Sequence, residues 1–241
     1  MRSVQRAFDI LSLLSEDRRT LTIREVVDET GLAKTTALRL LQTLEQMGLL
    51  WGTPRGYAAG PALWRWAHLA RSAWELPPET VQLMRELGAR HRETVNLYVA
   101  RDVHRICIAQ QESPQPLRHV VRVGDELPLW AGASSKVLLR DASEQLLARI
   151  ARLFPQGDPA ALREQAAQAA RDGYAVSHGE REPGLSAVAV PVTGSSRAAV
   201  AALTLSGPTV RFGDERVQEF VTDLRDVAKR MSERGFDHPL S

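Results

Sequence analysis

The chain has 241 residues, 44% hydrophobic and 25% charged, with a formal net charge of +2 and one cysteine. That length admits one large domain or two modest ones, and the composition excludes a largely disordered chain. One cysteine excludes an intrachain disulfide framework, and no apolar window reaches the roughly 18 residues of a membrane span, so the expectation is a cytoplasmic protein with no membrane partner.

The basic excess is uneven. Residues 1–72 carry 10 Lys+Arg against 7 Asp+Glu, and the remainder carries 21 against 22. A basic N-terminal third is compatible with phosphate binding. Ser3 to Ser15 places Val4, Ala7, Phe8, Ile10, Leu11 and Leu14 at helical spacing, which predicts a first helix with a buried face from its first turn. The polar run Glu16-Asp17-Arg18-Arg19 interrupts it. Thr22 with Glu25 fits a capping box and Gly31 suits the residue past a helix end, so a short second helix spans about Ile23 to Thr30.

Only Gly31, Leu32 and Ala33 precede a third helix, in which Ala37, Leu40, Leu41 and Leu44 gather on one buried face before Gly48 ends it. A short helix, a Gly-containing turn and a longer amphipathic helix form the helix-turn-helix layout, whose second helix lies in the DNA major groove. Leu49 to Gly60 supplies two short runs around Thr53-Pro54-Arg55-Gly56, a β-hairpin with Arg55 at its tip. Three helices and this hairpin predict a winged helix-turn-helix.

Lys34, Thr35, Thr36 and Arg39 stand off the apolar stripe of the third helix, and Thr43 lies one turn beyond Arg39. Short hydroxyls reach phosphates or base edges without bulk, Lys34 neutralises phosphate, and Arg39 suits bidentate contact with guanine. No Ser, Asp or Asn caps the first turn, so its free N–H groups could meet a phosphate. These residues with Arg55 are the candidate DNA-binding set.

From Pro61 to Glu75 runs a helix apolar on more than one side, with Leu63, Trp66, Ala67 and Ala70 in register and Trp64 and Trp74 offset. Such a helix suits a connector between domains and across a dimer; the alternative is burial within one subunit. Glu79 to Arg92 is a further amphipathic helix, placing a boundary near Pro77. Thr94–Ala100 and Arg105–Gln111 predict a hairpin about Arg101–His104. Helices follow at about Ser135–Arg140, Ser143–Arg152 and Pro159–Asp172, then two strands in GLSAVAVPV and RAAVAALTLSG, then a helix over Asp214–Arg234.

SVQRAFDIL, TIREVVDETGLAKTTALRLLQTLEQMGLL, GYAAGPAL, LPLWAGASSKVLL, GYAVSHGEREPGLSAVAVPV and AALTLSGP together resemble the IclR-type transcriptional regulators, over nearly the whole chain. The resemblance implies an α+β protein: a winged helix-turn-helix over 1–60, a linker helix over 61–76, and a GAF-like α/β effector-binding domain over 77–241. It also implies a homodimer or homotetramer on a palindromic operator of double-stranded DNA, modulated by a small-molecule effector, a carboxylate or an aromatic compound, with no cofactor, metal or enzymatic activity. Carried over by position, the effector residues are Ala133, Ser134, Ser177, Ala187, Thr204 and Ser206. Thr204 and Ser206, two apart on a strand, share a face. Backbone N–H groups near Ser134-Ser135 would favour a carboxylate.

The chain departs from the family at Ser135, often Gly, and at Ala59, commonly Leu. Some members carry a polar or sulfur-bearing residue at the position of Ala187 and an acid at that of Ser177, so the pocket is expected to be less charged here. Cys107, between Ile106 and Ile108, reads as an inert part of a sheet. His104, His119 and His178 with Glu180 match no close-spaced metal-ligand motif. The loop His178-Gly-Glu-Arg-Glu reads either as a solvated turn or, from the family, as a neighbour of the pocket. No nucleophile, base and orienting group stand together as an enzyme reading requires, and phosphate-loop and nucleophile-elbow motifs are absent from the sequence.

Overall fold

Thr22 and Glu25 build the reciprocal cap their spacing predicts. In the computed structural model, which describes residues 2–15, 17–154, 158–233 and 236, the Glu25 amide donates to Thr22 Oγ1 at 3.2 Å and the Thr22 amide donates to Glu25 Oε2 at 2.7 Å. Each bond satisfies a backbone donor that the helix start leaves without a partner. Helix α1 (Arg2–Leu11) and the two-residue strand β1 (Thr20–Leu21) precede the capped helix α2 (Ile23–Thr30). Gly31 ends α2 in the left-handed region, φ 65°, its amide donating to the Val27 carbonyl, a conformation that costs glycine no Cβ clash.

Helix α3 (Lys34–Gln46) seats Ala37, Leu41 and Leu44 in a core closed by Ile10, Leu21, Val26 and Leu50, with Leu40 packed at its margin. Strands β2 (Leu50–Thr53) and β3 (Gly56–Ala59) form the predicted hairpin, and β1 pairs with β3 to give the order β1-β3-β2. Sequence pattern does not reveal β1, because two residues carry no period. Helix α4 (Ala62–Trp74) completes a compact unit, Met1–Glu75.

One expectation for this unit is corrected. The first helix does not bury its face from the first turn: Val4 and Phe8 are 63% and 61% exposed, while Ile10 is fully buried. Only the later part of α1 reaches the core, and the helix ends at Leu11 rather than Ser15, the Arg18 amide and the Ser15 hydroxyl closing a turn beyond it. Glu16 lies outside the described residues. On α4, Trp64, Trp66 and Leu69 are 83%, 54% and 52% exposed, against the alternative of a helix buried within one subunit.

The second unit, Leu76–Ser241, opens with α5 (Pro78–His91) and the hairpin β4 (Thr94–Arg101) and β5 (His104–Gln111). A short β6 (Glu126–Pro128) precedes α6 (Ala133–Leu138), α7 (Glu144–Leu153) and α8 (Pro159–Asp172). Strands β7 (Ala175–His178), β8 (Leu185–Thr193) and β9 (Ala199–Pro208) and helix α9 (Asp214–Glu233) complete it. Arg234, the predicted end of the last helix, lies outside the described residues. All six strands pair antiparallel in the order β6-β5-β4-β9-β8-β7. The sequence pattern predicts four of these strands; β6 and β7, three and four residues long at the two edges, are too short to show alternation.

Helices α5 and α9 cover one face of the sheet and α6, with α7 and α8 behind it, the other. Six consecutive residues of β4, Thr94 to Val99, are therefore buried in place of the alternation expected of a half-exposed hairpin. Among the described residues no helix is long and apolar enough to cross a membrane. Thr22→Ala is expected to lower the stability of the N-terminal unit by about 1 kcal/mol, read as a shift of its urea midpoint; an unchanged midpoint would show that the cap adds nothing to this helix.

Candidate functional site

Two sites take shape, one in each unit. On α3 the apolar residues occupy one side, and Lys34, Thr35, Arg39 and Thr43 are exposed on the rest, with Thr36 half-buried. Ala33 at the helix start makes no side-chain cap, as expected from its chemistry. Thr43 Oγ1 donates to the Arg39 carbonyl at 2.8 Å, so its proton is spent within the helix and its lone pairs remain. In the hairpin, Thr53 Oγ1 donates to the Gly56 carbonyl at 2.8 Å and accepts the Arg55 amide at 3.2 Å, a closure that holds Arg55 exposed at the tip.

Pairing separates these cations from their neighbours. Arg18 and Arg24 are held by Glu29 at 3.1 Å and Asp28 at 3.6 Å. Lys34, Arg39 and Arg55 make no ion pair with the described residues. Exposed cations without internal carboxylates can meet an external polyanion without first breaking a bond.

In the C-terminal unit one cavity collects all six positions carried over for the effector: Ala133, Ser134, Ser177, Ala187, Thr204 and Ser206. Its cavity volume is about 30 Å³, the room of about two waters, and it opens partly to solvent. The lining also holds charged groups outside the carried-over positions. Arg105, His119, Glu180, Arg181 and Glu182 share the lining with Tyr98. They come from β5, the loop before β6 and the loop after β7, stretches too far apart in sequence for spacing to join them. The signal available in the sequence was Arg105 itself, a lone charge opening an otherwise apolar strand.

The polar groups around the cavity are tied in a definite order. Arg105 Nη1 donates to the carbonyls of Pro128 at 2.6 Å and Ala131 at 3.0 Å and to Ser135 Oγ, and the guanidinium lies 5.5 Å from the Tyr98 ring centroid. Ser135, where the family often has Gly, thus braces the arginine, and its amide is spent on the Gly132 carbonyl at 3.0 Å rather than left for a carboxylate. Glu180 accepts from the Gly132 amide at 3.0 Å and from Lys136 Nζ at 2.5 Å. The residues after His178 are therefore a pocket wall, not a freely solvated turn.

Ser206 Oγ accepts from Asn96 Nδ2 at 3.2 Å and stands 3.2 Å from His119 Nδ1. Thr204 Oγ1 is buried without a partner. The remaining candidates do not converge: His178 Nδ1 lies 2.8 Å from Ser186 Oγ, and His104 packs edge-on against Phe154. Cys107 is buried and its thiol pushed up to about 12 by that burial, which keeps it protonated and unreactive.

Arg181 Nη2 donates to His119 Nε2 at 2.9 Å, so Nε2 is the acceptor and Nδ1 carries the proton facing Ser206. Burial, with Arg181 and Arg105 nearby, pulls His119 down to about 4 from an ordinary 6.5. Above pH 6.5 the folded and unfolded chains both hold it neutral. As the pH falls the unfolded chain takes up the proton first, so stability is lost between about pH 6.5 and 4, on the order of 2–3 kcal/mol. Thermal melts across this window should show a shallower fall in His119→Gln, with the residue of the slope belonging to groups such as His91, which burial also pulls down. Equal slopes in the two proteins would contradict this.

Comparison with known proteins identifies both units. Residues 3–51 match the family model of the IclR helix-turn-helix domain, and residues 71–233 that of the bacterial transcriptional regulator IclR C-terminal domain. The HTH-type transcriptional regulator KdgR of Escherichia coli (strain K12) is 30% identical over 99% of this chain and 95% of its own. The crystal structure of an IclR transcriptional regulator from Alicyclobacillus acidocaldarius is 30% identical, covers 97% of this chain and 98% of that one, and superposes with a TM-score of 0.77. An IclR homologue from Microbacterium hydrocarbonoxydans, complexed with 4-hydroxybenzoate, shares the fold at 24% identity and a TM-score of 0.77, covering 96% of this chain and 98% of its own. The chain belongs to the IclR family and is a DNA-binding transcriptional regulator of that type.

Proposed function

We propose that the chain acts in the cytoplasm, with no catalytic activity, as a homodimer or homotetramer that presents α3 to the half-sites of a palindromic operator and is modulated by a small organic effector held in the C-terminal cavity. The observation that carries the DNA assignment is the exposed, unpaired set Lys34, Arg39 and Arg55 beside the hydroxyls of Thr35, Thr36 and Thr43, on a helix whose other side is fixed in the core. Arg39 reads a base edge, and Lys34 and Arg55 neutralise phosphates.

Three features support the effector assignment: a concave site, an apolar floor that includes Ala133 and Ala187, and a few convergent polar groups. The fold-sharing homologue complexed with 4-hydroxybenzoate supports a small acid or aromatic compound as the class of ligand. Effector occupancy shifts DNA binding only so far as the ligand prefers one of two arrangements of the recognition helices, transmitted through the connector Pro61–Glu75. Exposed Val4, Phe8, Trp64, Trp66 and Leu69 support self-association, since a second copy would take their apolar surface out of water.

Duplexes selected from a random pool by the wild-type protein provide the test. Arg39→Ala should flatten the preference for selected over scrambled duplex by about 1–3 kcal/mol, whereas Lys34→Ala should weaken both alike and lower the salt slope by about 1. Anisotropy titrations over a chloride series separate the two, and identical behaviour of the variants would refute this division of roles. Trp66→Glu should convert dimers to monomers in sedimentation velocity; a variant that sediments as the wild type does would place the interface elsewhere.

A further inference from the structure

Arg105 carries a positive charge to the wall of the cavity and meets no carboxylate there. Its three hydrogen bonds to the described residues all leave from Nη1, to two carbonyls and the Ser135 hydroxyl. Nε is buried without a partner, and Nη2 makes no hydrogen bond to the described residues, lying against Gly132 instead. A Cβ built at Gly132 would stand 3.4 Å from Nη2, and this glycine holds a φ of 99°, so the backbone there yields room for the guanidinium edge. The Nε and Nη2 N–H groups are parallel donors, the edge that pairs with both oxygens of one carboxylate.

The neighbouring acids are committed elsewhere. Glu180 is bound by Lys136 and the Gly132 amide, and Glu182 lies 3.4 Å from Arg181, whose Nη2 also holds His119. Burial lowers Arg105 to about 10, which leaves it charged at neutral pH. A buried cation held only by neutral acceptors is unfavourable, and a bound anion relieves it. Two hydroxyls complete the site: Thr204 Oγ1, buried and unpartnered, and Ser206, whose oxygen already accepts from Asn96 and faces His119.

We propose that Arg105 is the specificity-determining residue of the effector pocket, its Nε–Nη2 edge gripping the carboxylate of a small organic acid while Thr204 orients a second polar group. This deepens the proposed effector function and rests on it. Two parallel N–H donors fit a planar pair of oxygens, and the same edge gives an uncharged amide one acceptor and a clashing NH2.

The test is calorimetric titration of the full-length chain with acid and amide pairs: benzoate and benzamide, 4-hydroxybenzoate and 4-hydroxybenzamide, pyruvate and pyruvamide. The wild type should bind at least one acid at least ~10-fold tighter than its amide. Arg105→Met should abolish that preference, and Arg105→Lys, which keeps the charge in case the first variant fails to fold, should lose most of it while affinity for the amide changes less than about 3-fold. An acid preference that survives undiminished in either variant overturns the proposal. Equal losses for acid and amide also overturn it, making Arg105 a brace for the segment before α6. Binding of amides without acids by the wild type overturns the role of Arg105 while leaving the effector pocket standing; binding of neither class by the wild type counts against both.

Discussion

The constraint on which the C-terminal unit depends is that its sheet has no wet face. Helices α5 and α9 cover one side and α6 to α8 the other, so a polar side chain on β4 or β9 cannot turn to solvent and has to find its partner inside. Thr94 solves this by donating to the His119 carbonyl at 2.7 Å, and Asn96 by bonding Ser206 and accepting from Gln110 at 3.1 Å. Both bonds reach the neighbourhood of the same loop, the one that carries His119. The network that satisfies the centre of the sheet therefore also positions one wall of the cavity, and the atom it leaves over, Thr204 Oγ1, lies on that cavity. Structure and binding site are one solution to one burial problem.

The N-terminal unit rests on a division within a single helix. Ala37, Leu41 and Leu44, with Leu40 at the margin, supply the packing that fixes α3, and the polar positions Lys34, Thr35, Arg39 and Thr43 are left outside the core. Fixing and reading are thus separable, and the polar side of α3 is free to vary in chemistry without loss of fold. The apolar surface that α1 and α4 leave exposed has no such freedom. Indoles at Trp64 and Trp66 in water are unfavourable by an amount that grows with the area exposed, and the proposed self-association would offset it.

Local chemistry was legible in the sequence, and convergence was not. The capping box at Thr22, the left-handed Gly31 and the bounds of α8 follow from residues within a few positions of one another. The four longer strands are visible because their runs exceed the period being sought. Strands β1, β6 and β7 are edge pieces of two to four residues whose formation is decided by the partner they pair with, so no local pattern announces them. The exposure of Val4 and Phe8 escaped for a related reason, since helical periodicity identifies an apolar face but not what covers it. At the cavity, positions carried over from the family meet in one place, yet Arg105 and His119 were missed as pocket residues because each belongs to a different segment and only the fold brings them together.

An unpaired buried cation is a cost, and the protein tolerates it by distributing the charge over neutral acceptors. Arg105 is held by two carbonyls, one hydroxyl and an aromatic face, a cage that stabilises the guanidinium without neutralising it. Had Glu180 reached the free edge instead of Lys136, the charge would be quenched and the edge closed; Lys136 keeps it away. Ser135 supplies one of the three acceptors that hold Nη1. In the proposed mechanism this residual polarity is what an effector engages. Because the acceptors that hold Nη1 lie on the segment entering α6, an anion drawing on the opposite edge pulls against the β6–α6 connection, and that segment, in contact with β8 and β9 through α6, is the one through which occupancy would reach the rest of the unit.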